Sequence, residues 1–106
     1  MTTISYRRTG GTLGQEIAAN FDLNSMPTSD SQRLQDLIDE SSFFEIPVVD
    51  VVPSRPDEFA YTITVVSGNS IHTVSATDNL MPRSLRPLIH DLTELAVANR
   101  HIISRL

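Results

Sequence analysis

Phe59-Ala60-Tyr61-Thr62-Ile63-Thr64-Val65-Val66-Ser67-Gly68-Asn69-Ser70-Ile71-His72-Thr73-Val74-Ser75-Ala76 is the stretch that decides the fold. Phe59, Tyr61, Ile63 and Val65 recur at every second position, the period of a strand with one buried face. Ser67-Gly68-Asn69-Ser70 has the composition of a turn, and residues 71–76 return with His72 and Val74 on one face. The stretch is an antiparallel hairpin. An earlier segment repeats the pattern. Residues 2–9 place Ile4, Tyr6 and Arg8 on one face, a glycine-rich tip Gly10-Gly11-Thr12-Leu13-Gly14 follows, and Ile17, Ala19, Phe21 and Leu23 resume the two-residue period.

Helical spacing appears twice. Pro27-Thr28-Ser29-Asp30 supplies helix-start chemistry, and Leu34, Leu37 and Ile38 form a stripe, which predicts a helix over 30–41. Leu85, Leu88, Ile89, Leu92, Leu95 and Ala96 draw the stripe of a closing helix. Pro87 is tolerated only in its first turn, where the missing N–H has no partner to lose, so the start falls near Ser84. Between the first helix and the second hairpin, Phe43, Phe44, Ile46 and residues 48–52 form a stretch that is apolar save for Glu45 and Asp50 and is broken by Pro47 and Pro53, which predicts a short edge strand. The order is that of one α+β domain over residues 1–106: a four- to five-stranded antiparallel sheet with two helices packed on one face. Leu37, Phe59, Ile63, Leu88 and Leu92 are the expected core.

Composition excludes several functions. The 106 residues contain no Cys, so there is no disulfide framework, thiolate nucleophile or thiolate zinc site. Thirteen acids oppose eight basic residues, all Arg, for a net charge of −5, which disfavours nucleic acid and anionic membrane as partners. The opening MTTISYRRTGG lacks the apolar core of a signal peptide, and no apolar run approaches the ~20 residues of a membrane span. A cytoplasmic, monomeric protein is expected, with non-classical export left open.

Catalytic chemistry is thin. His72 falls mid-strand, His90 on the outer side of the closing helix near Asp91 and His101 near the end, with no spacing that makes a zinc site. The glycine-rich tip joins two strands and lacks Lys, unlike a phosphate loop. Asp36, Asp39 and Glu40 read as a solvated helix face, and Tyr6, Phe21, Phe59 and Tyr61 as sheet packing. Arg7 and Arg8 are explained by a cross-strand partner such as Glu16. What stands out is apolar side chains in loops, Leu13 between glycines and Leu80 and Met81 in Asn79-Leu80-Met81-Pro82, which must either pack locally, the reading the residues alone favour, or meet a partner. An interaction module without catalysis, cofactor or metal of its own follows.

The chain also resembles the emfourin family, protein inhibitors of thermolysin-like metalloproteases associated with protealysin. The resemblance runs through residues 4–14, Ser42-Phe43-Phe44, residues 56–65, His72-Thr73-Val74 and residues 81–89. It implies an α+β inhibitor that blocks the cleft of a thermolysin-like zinc protease encoded nearby. At the tip this chain departs from the family pattern of Gly-Gly followed directly by an aromatic, since Thr12 intervenes and the bulky residue is Leu13.

A zinc cleft beside an apolar pocket calls for an apolar plug and an oxygen donor. The resemblance therefore points to Gly10, Gly11, Thr12, Leu13 and Gly14 in one loop and Asp78, Asn79, Leu80 and Met81 in another, with Asp78 as the candidate contact to the partner's zinc. Asp78 equally fits a turn or cap role. As loop residues, Leu13 and Asp78 are expected to be replaceable without loss of stability. The alternative function is a regulatory interaction module, antitoxin-like or scaffolding, that approaches no active site.

Overall fold

The computed structural model describes residues 2–11, 16–48 and 57–103, with side chains to residue 98. Four strands form one antiparallel sheet: β1 (Thr2–Gly10), β2 (Ile17–Asp22), β3 (Phe59–Ser67) and β4 (Ser70–Thr77), in the order β2-β1-β3-β4. The helices are α1 (Thr28–Glu40) and α2 (Arg86–Ile103). This is the α+β class that the alternation implied.

The registers follow from side-chain size. Ile4 lies between Phe21 and Val65, and Tyr6 between Ala19 and Ile63, so the large residues of β1 meet complementary neighbours on both sides. Ile63 pairs with Val74 and Tyr61 with Ala76 across the second hairpin. These residues share one face and are buried, Ala19 only partly, whereas Ser5, Arg7, Ala18, Asn20 and Thr62 on the opposite face are exposed. The helices complete the core with Leu34 and Ile38 of α1 and Leu88, Ile89, Leu92 and Ala96 of α2. Leu37 and Phe59, expected in the core, are half-buried at its margin.

Polar contacts fix the helices. Arg33 meets buried Asp91 through both guanidinium and carboxylate, Nε to Oδ2 at 2.6 Å and Nη2 to Oδ1 at 2.9 Å, which joins α1 to α2. Thr93 donates to the Ile89 carbonyl at 2.7 Å, so the Tyr6 hydroxyl, 2.5 Å from Thr93 Oγ1, is the donor of that pair. Ser84 donates to the Ser41 carbonyl at 3.3 Å, tying the start of α2 to the end of α1.

The element boundaries differ in three places. Helix α1 begins at Thr28, two residues before the expected start, because Pro27 fixes its own φ and its carbonyl accepts the Ser31 N–H. A single 3-10 turn, Arg83–Leu85, precedes α2, and Pro87 indeed occupies the first helical turn. The expected edge strand is absent from residues 43–48. Ser42 takes a left-handed φ of 53°, Phe43–Glu45 form a 3-10 turn, and the Ile46 carbonyl accepts from His72 Nε2 at 2.7 Å. The segment is thus held to β4 by a side chain instead of a backbone ladder. Residues 49–52 lie outside the described residues.

Candidate functional site

Register brings the two apolar loops to one end of the sheet. Gly10 pairs with Phe59, and Ala60 pairs with Thr77, so the end of β1, the start of β3 and the end of β4 lie side by side. Gly10 and Gly11 therefore stand across Glu58 and Phe59 from the loop that begins at Asp78. Thr12, Leu13 and Gly14 lie outside the described residues.

Both glycines are required by geometry. Gly10 has φ +92°, and a Cβ there would sit 2.6 Å from the Glu58 carbonyl oxygen; Gly11 has φ +80°, and its Cβ would fall 2.5 Å from the Phe59 ring. The Gly11 N–H donates to that same Glu58 carbonyl at 3.2 Å. Arg8, facing Tyr61 across the ladder, stacks its guanidinium 4.3 Å from the centre of the Phe59 ring. Arg7 takes the cross-strand role expected of the doublet, 3.6 Å from Glu16.

The second loop is fastened at each residue. Thr77 N–H donates to the Leu80 carbonyl at 3.3 Å, and Leu80 N–H returns to Thr77 Oγ1 at 3.1 Å. Asp78 N–H donates to the Phe59 carbonyl at 3.3 Å, and Asn79 N–H to Glu58 Oε2 at 2.9 Å. Glu58, only 5% exposed, thereby holds one loop with its backbone and the other with its carboxylate. Residue-by-residue reading of the sequence did not single it out; an acid set directly before a core-facing strand was the available signal.

Asp78 is engaged from within. Oδ2 accepts the Phe59 N–H and Oδ1 the Tyr61 hydroxyl, each at 2.9 Å. Burial first, and then donation to Asp78, push the Tyr61 hydroxyl well above its ordinary range. This is the turn-organising role the sequence left open for Asp78, and it makes the residue costly to replace, against the expectation drawn from its loop position. The loop's apolar pair divides: Met81 packs against the core, whereas Leu80 is 60% exposed. Arg83 and Arg86 follow, both exposed and neither in an ion pair among the described residues. A shallow hollow lined by Tyr61, Asp78, Met81, Arg86 and His90 adjoins the loop.

The two histidines with described side chains stay apart. His72 serves Ile46 and packs edge-on against Phe43 with ring centres 5.7 Å apart, His90 pairs with Glu94 at 3.2 Å instead of Asp91, and the His101 side chain is outside the described set. Asp36 and Asp39 accept from Gln32 and Gln35 on the exposed face of α1. Among the described residues no three His, Asp or Glu side chains gather as metal ligands, and no helix is long and apolar enough to cross a membrane.

The loop end of the sheet thus presents exposed Leu80 ahead of Arg83 and Arg86, neither of which is in an ion pair among the described residues. The emfourin family model matches residues 6–93, and the chain belongs to the emfourin family. That family is an inhibitor domain associated with protealysin-type metalloproteases. Neither curated proteins nor solved structures gave a match.

Proposed function

We propose that the protein is a non-enzymatic inhibitor of a thermolysin-like, protealysin-like zinc metalloprotease encoded nearby, entering its active-site cleft with the loop end of the sheet. The observation that carries this reading is the convergence of Gly10-Gly11 and residues 78–81 on Glu58, which presents Leu80 outward from a backbone hydrogen-bonded at each step. The backbone of residues 77–80 is already held by hydrogen bonds before binding, so little conformational entropy is lost when it docks. Leu80 is the plug for an apolar pocket, and the neighbouring tip with Leu13 would meet the same cleft.

The arrangement refines the role of Asp78. Its oxygens are occupied by Phe59 and Tyr61, so its contribution is to shape the loop, and the nearest polar group offered outward is exposed Asn79. The free protein is proposed to be a cytoplasmic monomer that needs no metal or cofactor. Titration of a thermolysin-like protease with the protein tests the reading: inhibition should saturate at one equivalent, and Leu80→Ala should weaken it by about 2 kcal/mol or more while leaving the melting temperature unchanged. Full retention of inhibition by Leu80→Ala would place the contact on another surface.

A further inference from the structure

A loop that fills a protease cleft invites cleavage, and the fastening of residues 77–80 addresses that directly. We propose that Glu58 and Thr77 are antiproteolytic positioning residues, which hold the Thr77–Leu80 backbone in a closed turn that a protease can grip but not cut. The inference rests on the reading of the protein as a protease inhibitor.

Proteases accept substrates as extended chain whose N–H and carbonyl groups are free to pair with the enzyme in the manner of an added strand. Here the four successive N–H groups of Thr77, Asp78, Asn79 and Leu80 are all spent inside the inhibitor, on Leu80 O, Phe59 O, Glu58 Oε2 and Thr77 Oγ1. The Leu80 carbonyl is turned back on Thr77 as well. Extending the loop would break this set together and strip two buried side chains, Glu58 and Thr77, of bonds they make in a nearly dry environment. The Asn79–Glu58 bond, at 2.9 Å the shortest of the four, ties the loop to the start of β3 and is its principal fastener. Leu80 nevertheless stays outside, available to a pocket, because the turn constrains backbone and leaves its side chain exposed.

The test follows where the chain is cut. The full-length protein and its Glu58→Ala, Glu58→Gln and Thr77→Val variants are incubated with excess thermolysin-like protease, and fragments are mapped by mass spectrometry alongside residual protease activity. In Glu58→Ala the first cut should fall within residues 77–81 and appear about ten- to hundredfold sooner than any cut there in the wild type, the gain in open population expected when a buried donor loses its acceptor. Glu58→Gln keeps an oxygen acceptor and should restore resistance. Thr77→Val, close in shape, should open the same loop and carries the test if Glu58→Ala fails to fold by circular dichroism. Folded variants whose loop resists as long as the wild type overturn the proposal even if the wild type inhibits. A wild type that fails to inhibit, yet whose loop stays uncut while the variants are cut there, sinks the inhibitor reading and leaves the fastening intact.

Discussion

Asp78→Ala is the substitution whose cost the structure determines most closely. It removes the acceptor of the Phe59 N–H and of the Tyr61 hydroxyl, each 2.9 Å away, and Tyr61 is 8% exposed. Hydrogen bonds to a charged acceptor contribute about 1.5–3 kcal/mol each, and water reaching the half-exposed Asp78 position recovers part of the pair, which leaves a loss of about 2–3 kcal/mol. For a domain near 100 residues each kcal/mol shifts the melting temperature by roughly 4–8 °C, so a fall of at least about 8 °C is expected. Asp78→Asn should cost less, because its amide can accept from Phe59 while donating to the tyrosine oxygen. Tyr61→Phe removes the stranded hydroxyl, so in a double-mutant cycle the two changes should couple by about 1–2 kcal/mol. The assay is urea unfolding followed by circular dichroism, read from midpoints at unchanged slope. An Asp78→Ala protein within about 0.5 kcal/mol of wild type, or strict additivity with Tyr61→Phe, would refute the hydrogen-bonding scheme.

Leu92→Ala, at a site with no exposed surface, should lower stability by about 2–5 kcal/mol in the same unfolding assay. Arg83→Glu and Arg86→Glu reverse exposed charges that follow Leu80 in the chain and have no ion-pair partner among the described residues; the double variant should slow association with the protease and alter its salt dependence without changing the melting temperature, as read by stopped-flow inhibition kinetics. Tyr6 and Tyr61 are the only tyrosines, and burial foremost raises the folded value of each above the ~10 of an unfolded chain. Their contribution to stability is therefore full below pH ~10 and lost as pH climbs towards the folded values, so tyrosinate absorbance should rise together with loss of the dichroism signal; tyrosinate forming near pH ~10 in an intact fold would contradict the burial.

Strand alternation made the two hairpins and their buried faces readable, because Ile4, Tyr6, Ile63 and Val65 can satisfy a two-residue period only with one face covered. Helix stripes were equally plain at Leu34 and Ile38 and at Leu88 and Leu92. Residues 43–48 misled because apolar content suggests a strand, whereas the left-handed Ser42 and the capture of the Ile46 carbonyl by His72 are tertiary facts with no local signature. At the site, the exposed Leu80 and the glycine pair were visible in the sequence. The part played by Glu58 was not, since an acid before a strand looks solvated until a neighbouring strand places the Asn79 N–H within its reach. Asp78 was visible as a loop acid with two open roles, and only the position of Tyr61 decides between them.

The pairing of β1 with β3 gives the loop end an all-or-none character. Gly11, Glu58 and Asn79 come from three stretches far apart in the chain and meet only when the β1–β3 and β3–β4 registers are both correct. A synthetic peptide spanning residues 76–82 would carry the leucine without its clasp and should behave as ordinary substrate. If the loop end is the binding surface proposed above, it forms during synthesis only once β4 has emerged and closed onto β3, and a nascent or misregistered chain would not inhibit a protease. Activity against the protease would then serve as a direct gauge of the fraction of molecules that have reached the native topology.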